Sequence, residues 1–590
     1  MRTITIWNVM AALPCLSDIT KGMNALSLIK KSKSLSHRAG GGRLVLAASL
    51  SLTVMLAGCS SNKTEEKSPS ASSTQPTASS ASASPTASGS IPSDKEFKIK
   101  LMSWHGGEEQ YGPAYNNAFE AYMKLHPNVK IEHLYQPNAN NGYTKLLDTQ
   151  FVSHEAPDAM MLPNQDAAKY ANQDYLLTLD GYLQLPSAYN SDQATWLDTF
   201  KGGENSFSSA KSGNKYGAII MIPVDGGPGS SPLIPFYYNK DIFDKAGITE
   251  VPETWAELLE ACQKIKDLGI DPVAADGNRF LQWMDAFSGY QLEPGHVANL
   301  FDEKYRIKEM KVDLRRVAIA TGMYKADDPV EAASLDLMKE FSQYWQQGWA
   351  AINEDQAKQI FLLGKAAIYM DGNWDYSYFE KNIKGFTFDV MPFPVITKET
   401  TPFASEMLPV AGDQQSGGWG LNKDLEKDEE KLKVVLDIFQ FLTSKENQQT
   451  MSDEGVFVPV VNNVDVTSKI QAFIATDKNK IASNQLNEVP LFNESTDGKA
   501  ILQLWLTGQA DKAATMNKLH EQAVNNVKKK IVEALDNEVG VPSQIKTLEA
   551  QLEELNSTNA PENVKKATED SLAVAKLKLE FYQQFADAAK

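Results

Sequence analysis

Carboxylates and histidines are the side chains with the widest chemical reach in this 590-residue chain, which has 75 acidic residues and 7 histidines. Glycoside hydrolysis needs two carboxyls flanking the scissile bond, about 5 Å or about 6.5–9.5 Å apart. With so many acids such pairs are inevitable, and composition alone leaves a secreted glycoside hydrolase open. Against it, the sequence has no HExxH, no GxSxG, no P-loop and no GxGxxG, so the usual arrangements for zinc, serine or nucleotide chemistry are missing. His37, His105, His126, His133, His154, His296 and His520 show no close metal-ligand spacing, and there is no calcium loop of the EF-hand type. His105 reads as a hydrogen-bonding or structural residue rather than a zinc ligand. The expectation is a protein without a cofactor that is not an enzyme; no metal site is expected from these residues, and a bound metal ion stays open.

The three cysteines are Cys15, Cys59 and Cys262. Cys262 shares an apolar helix face with Leu258, Leu259 and Ile265 and reads as a small core residue, so a disulfide framework is not expected. Lys30, Lys31, Lys33, Arg38 and Arg43 precede an apolar run from Leu44 to Ala57, the order of a secretory signal. The run is shorter than the roughly 20 apolar residues of a membrane span. Leu56-Ala57-Gly58-Cys59 resembles the bacterial lipobox, which implies that Cys59 receives a diacylglycerol anchor and becomes the mature N-terminus. Residues 1–22 look unlike the start of a signal, and Met23 is an alternative start. After the leader (1–58), residues 59–94 are Ser-, Thr-, Ala- and Pro-rich and cannot bury enough surface to offset their ordering entropy. They read as a tether on a Gram-positive surface. The chain carries a net charge of −18, and the leader is basic, so the body is more acidic still. Nucleic acid is not an expected partner, since its capture needs a basic surface.

The elements that must position any site begin at Phe97. Phe97, Ile99 and Leu101 alternate with lysines, as in a strand. Tyr115, Ala118, Phe119, Tyr122 and Met123 recur with helical spacing up to His126-Pro127. Strands follow at 129–135 and 158–162, which predicts a βαβ unit and a parallel sheet. A strand at 236–239 precedes Thr254 and Glu257, spaced as a capping box, and that helix is predicted to stop at Gly269. A strand near 419–421 precedes a helix through Leu432, Val435, Leu436 and Phe439. Beyond Asp511 the pattern is almost purely helical. Ile545, Leu548, Leu552 and Leu555 span too few heptads for a coiled coil, so these helices are expected to pack on the body.

Several segments then resemble one family. Residues 237–247 (YYNKDIFDKAG) followed by Val251-Pro252-Glu253-Thr254-Trp255 are similar to the centre of extracellular solute-binding proteins of the maltose-binding type. Trp104-His105-Gly106, Ala156-Pro157-Asp158, residues 361–367 leading into Met370-Asp371-Gly372-Asn373-Trp374, residues 417–422, and Gly455 with Pro459 agree in the family's order. The resemblance implies an α/β, two-lobe, periplasmic-binding-protein-like fold with crossing hinge segments. Lobe one would be 95–234 plus 414–470, lobe two 235–413 plus 471–540, and 541–590 a helical extension. It also implies a monomeric lipoprotein that binds a sugar or oligosaccharide between its lobes and serves the permease subunits and ATPase of an ABC importer. A surface adhesin or sensor on the same fold is the other non-enzymatic reading.

Sugar rings have apolar faces and hydroxyl edges, so their cleft needs aromatic platforms and a few orienting polar groups. The aromatics near matching positions are Trp374, Trp283, Trp419 and Trp104, with Tyr237 near the hinge. Trp374 is the first choice, since Gly372 lets the backbone approach closely. The polar candidates are His105 together with Glu108, Asn164, Gln165, Asp166, Asn373 and Asp375, which fall after strands, where open α/β sheets bind ligands.

Overall fold

The computed structural model describes residues 94–105, 111–137, 142–207, 218–226, 235–293, 295–406, 417–454, 457–474, 491–557 and 562–589. The leader, Cys59, the tether to residue 93, Gly106, Glu108 and Gly455 lie outside the described residues.

The first sheet has strand order β2-β1-β3-β8. Strand β1 (Phe97–Ser103) buries Phe97, Ile99 and Leu101 and exposes the lysines between them, the period-2 pattern of its sequence. It runs parallel to β2 (Val129–Tyr135), with Phe97 opposite Val129, and to β3 (Ala159–Pro163). Helix α1 (Gly112–Leu125) makes the crossover with Pro113 in its first turn. It buries Tyr115, Ala118, Phe119 and Tyr122 and is capped at His126, where Pro127 disfavours further helix. Strand β8 (Gly417–Leu421) joins antiparallel, Met161 opposite Trp419. The expected parallel sheet is thus mixed, because β8 enters only after the chain has built its other lobe and returned from the opposite end.

The second sheet has order β5-β6-β4-β7, formed by β4 (Phe236–Asn239), β5 (Asp271–Ala274), β6 (Ala366–Met370) and β7 (Phe388–Met391). Strand β6 is parallel to β5, and β4 is antiparallel to both β6 and β7. Both faces of this sheet are covered. Phe236 packs into one cluster with Trp255, Trp283 and Phe341, while its neighbour Tyr237 packs into another with Phe361, Tyr369 and Phe379. Helix α2 (Trp255–Asp267) starts with the predicted capping box, in which Thr254 and Glu257 bond each other's backbone, and it buries Cys262. The chain beyond it turns at Gly269 with φ +73°, a left-handed conformation that glycine adopts without a Cβ clash.

The chain is a two-lobe periplasmic-binding-protein fold. One passage between lobes falls at a dipeptide: Phe457 packs into the first lobe's core and Val458 into the cluster with Tyr237. A second segment lies alongside, where the Gly226 N–H donates to the Val458 carbonyl at 2.9 Å.

Helices α3 (Lys512–Ala534), α4 (Val541–Ser557) and α5 (Glu562–Gln584) form the C-terminal part. Leu548, Leu572, Phe581 and Tyr582 bury themselves in the second lobe's core, and the Tyr582 hydroxyl donates to Asp313. These helices are part of that lobe's packing rather than a free coiled coil. No helix among the described residues is long and apolar enough to cross a membrane.

Candidate functional site

The carboxyl end of β1 places Trp104 and His105 at the edge of the first lobe. Trp104 is partly exposed; it meets Tyr143 edge-on at 5.3 Å and tilts against His105 at 5.5 Å. His105 is buried, its backbone N–H donates to Ser103 Oγ at 3.1 Å, and its ring meets Tyr111 at 4.9 Å. Tyr111, just ahead of α1, stacks on Phe457 at 4.3 Å, beside the passage between lobes.

The carboxyl end of β6 supplies the other half of the site. Asp371 directly follows the strand, and Asn373–Asp375 form a single tight turn. Trp374 in this turn is partly buried and packs against the first lobe's cluster although it stands on the second lobe. A Cβ on Gly372 would lie 2.3 Å from the Trp374 ring, so glycine is what lets the indole fold back over its own backbone. The Tyr237 hydroxyl donates to the Gly372 carbonyl at 2.7 Å. Asn373 is buried and hydrogen-bonds to both Tyr111 and Asp225.

Asp225 is the junction of these parts. It accepts a hydrogen bond from the Tyr111 hydroxyl, and its other oxygen accepts from the Val458 N–H at 2.6 Å. Burial pushes its carboxyl up to about 7, against the opposing hydrogen bonds from Tyr111, Val458 and Asn373. A folded-state value above that of the unfolded chain favours the protonated native form. The stability it contributes is therefore full below about pH 4 and lost as pH rises to about 7. Asp225→Asn is expected to flatten the fall in unfolding free energy between pH 4 and 7, measured by urea titration across that range. Equal pH slopes for parent and variant would refute this.

Beneath the turn lies a buried ionic network. Asp371 accepts from Arg279 at 3.1 Å, from the Tyr369 hydroxyl at 2.8 Å and from the Gly372 N–H at 2.8 Å. Asp375 pairs with Lys358 at 2.9 Å and hydrogen-bonds to Asp371. Burial, with the Asp371 charge adding to it, raises the Asp375 carboxyl well above the carboxylate range. Burial would raise Asp371 too, but the Arg279 guanidinium overrides it and holds that carboxyl low.

The structure corrects three expectations. Trp283 is fully buried, tilted on Trp345 at 4.8 Å and edge-on to Phe341 at 4.9 Å, so its faces are occupied by protein. Trp419 is fully buried between Tyr115 and Phe439, its indole N–H donating to the Tyr115 hydroxyl at 3.2 Å. Both are core residues and not platforms. Asp375 is sealed against Lys358 and cannot orient a ligand. Asp166 is partly buried in the first turn of the helix Asn164–Asn172 and accepts from the Thr144 hydroxyl at 3.0 Å. Asn164 opens that helix, but its side chain and that of Gln165 lie outside the described residues, as does Glu108. The structure links Asn373 and His105 through Tyr111, with Asp225 bonded to Tyr111 and Asn373, and Trp374 is the next residue along the chain.

Tyr111, Asp225, Arg279 and Lys358 were not singled out from sequence. Asp225-Gly226 signals a turn, but nothing local announces its partners. Lys358 looks like a solvated helix residue, and only its spacing beside Ala357 and Phe361 placed it on the buried face. Among the described residues no three His, Cys, Asp or Glu side chains gather as a metal site.

Comparisons with known proteins agree with this architecture. Residues 106–449 match the sequence model of a family described as bacterial extracellular solute-binding protein. The sn-glycerol-3-phosphate-binding periplasmic protein UgpB of Yersinia enterocolitica is 23% identical over 407 residues, covering 66% of this chain and 81% of its own. A chitin oligosaccharide binding protein of known structure aligns with a TM-score of 0.51 at 18% identity, over 73% of this chain and 99% of its own. The protein RafE in complex with raffinose aligns with a TM-score of 0.51 at 17% identity, over 72% and 98%. At these identities the two structures share the fold.

Proposed function

Since the chain belongs to the bacterial extracellular solute-binding protein family, we propose that it captures a sugar or short oligosaccharide between its lobes and hands it to the permease subunits of an ATP-driven importer. In this reading it works as a monomer on the outer face of a Gram-positive cell membrane, held by a diacylglyceryl group on Cys59. The observation that carries the ligand class is the setting of Trp374. Its ring is partly exposed, fixed over Gly372, and placed by one lobe against the edge of the other. A flat apolar face at that seam suits a pyranose ring. Trp104 offers a second partly exposed ring at the end of β1.

The electrostatics favour a neutral ligand. Arg279 and Lys358, the cations beneath the turn, are buried and matched to Asp371 and Asp375, so neither is open to an anion. The sn-glycerol-3-phosphate-binding relatives support a second reading, in which a glycerol phosphate is held instead. Hydrolysis has less support. The close carboxyl pair at the site, Asp371 with Asp375, is sealed from solvent and hydrogen-bonded to itself, with no room for a sugar between.

Calorimetric titration with raffinose, a chitin oligosaccharide and sn-glycerol-3-phosphate tests the reading, with small-angle scattering of each mixture. A bound saccharide is expected to raise the melting temperature, as binding to the native state alone must, and to reduce the radius of gyration by lobe closure. Binding of sn-glycerol-3-phosphate alone would replace the sugar reading, and release of shorter sugars would restore the hydrolase. Mass spectrometry of detergent-extracted protein would show an unmodified N-terminal segment if the Cys59 anchor is wrong.

A further inference from the structure

The buried ions beneath the turn are more elaborate than packing demands. Replacing a buried ion pair by apolar groups of similar volume is often neutral or stabilising, so two buried cations held by two buried carboxyls invite another explanation. Their layout supplies one. Asp371 and Asp375 bracket the tripeptide Gly372-Asn373-Trp374, and each is tied to a different cation. Arg279 Nη2 lies 3.1 Å from Asp371, and Lys358 Nζ lies 2.9 Å from Asp375. The two cations are themselves joined through the helix Glu354–Leu362. Glu354 Oε1 sits 2.9 Å from Arg279, and Lys358 follows one turn later on the same helix. Gln282 also accepts from Arg279 at 2.8 Å, and Asp276 caps the Arg279 backbone N–H at 3.0 Å. The turn between the two carboxyls contains a glycine, whose backbone by itself accepts many conformations.

We propose that Lys358 and Arg279 are positioning residues for ligand capture. From the two ends of the turn they set the Trp374 ring and the Asn373 side chain through Asp375 and Asp371. Neither cation meets the ligand; both are sealed below it. A loop site is made precise when buried partners lock its side chains, and here a short helix and the loop after β5 form the frame. This rests on the reading of Trp374 as the platform, but its mechanical content can be measured without ligand.

The experiment uses the full chain labelled with 5-fluorotryptophan, with Trp374→Phe assigning the Trp374 fluorine resonance. The variants are Lys358→Met and the double variant Lys358→Met with Asp375→Asn, which leaves no uncompensated buried charge if the single one fails to fold. The Trp374 resonance is expected to shift and broaden, while those of the core residues Trp196, Trp283 and Trp419 keep their positions. A Trp374 resonance unmoved in the folded double variant overturns the proposal. So does a shift of all four together, or an unfolded double variant, since either would assign the pair to the fold as a whole. Failure of the platform reading is seen elsewhere, as unchanged saccharide affinity on removing Trp374, so the two cannot be confused.

Discussion

Trp374→Ala is expected to lose saccharide affinity by about 30-fold or more while unfolding in urea close to the parent midpoint. A buried aromatic anchor at a binding site is often worth about 2 kcal/mol or more, and each factor of ten in affinity is about 1.4 kcal/mol. The small cost in stability follows from the ring's setting. It is partly exposed and packs on the edge of the first lobe's cluster, not within it, so truncation opens onto solvent and leaves no sealed cavity. The turn beneath keeps its other restraints, the Tyr237 bond to Gly372 and the two ion pairs. The measurement is paired: calorimetric affinity for whichever saccharide the parent binds, and urea unfolding without it. Strong destabilisation with retained affinity would show that Trp374 serves the interface between lobes and not the ligand, and Trp104 would become the leading platform.

Trp419→Ala should show the opposite pattern. Truncating a buried tryptophan costs about 3–5 kcal/mol through lost transfer energy and the cavity left behind. Trp419 has no exposed surface, sits centrally in β8 opposite Met161, and is enclosed by Tyr115, Phe119 and Phe439. Its loss also removes the indole donor to the Tyr115 hydroxyl, and a buried polar group left unsatisfied adds to the cost. The expected result is a large drop in the urea midpoint, with saccharide affinity in the folded fraction within a few-fold of the parent. Near-parent stability with lost affinity would return Trp419 to the ligand site and undo the assignment made from its burial.

Much of the architecture was legible because it is written in short-range terms. The alternation of Phe97, Ile99 and Leu101 with lysines, the spacing from Tyr115 to Tyr122, the Thr254 and Glu257 box and the stop at Gly269 concern residues within a few positions of each other. Their physics is local: side-chain period, cap hydrogen bonds and a left-handed turn. The tail helices were legible in the same way, and the shortness of their heptad pattern correctly pointed to packing on the body.

The sequence by itself pointed to the strands of the first sheet, to the strand at 236–239 and to the helices with clear periodicity or caps. It also pointed to the segment order of a two-lobe binder with Trp374 two residues after a glycine, but it did not mark β5, β6 and β7 as strands. Only the tertiary structure decided what each side chain there meets. Trp283, Trp374 and Trp419 are equally apolar and each lies near the end or middle of a short element. What separates a core indole from an exposed one is the cover supplied by distant chain, Phe341 and Trp345 for the first, Tyr115 and Phe439 for the last. Asp375 looked like an orienting group until Lys358 closed over it, and Asp225 drew no notice until Tyr111, Asn373 and Val458 converged on it. The mixed sheet has the same origin, since β8 pairs with β3 across more than 250 residues. Burial and charge pairing belong to contacts between segments far apart in sequence, and a local pattern carries no record of which segments will meet.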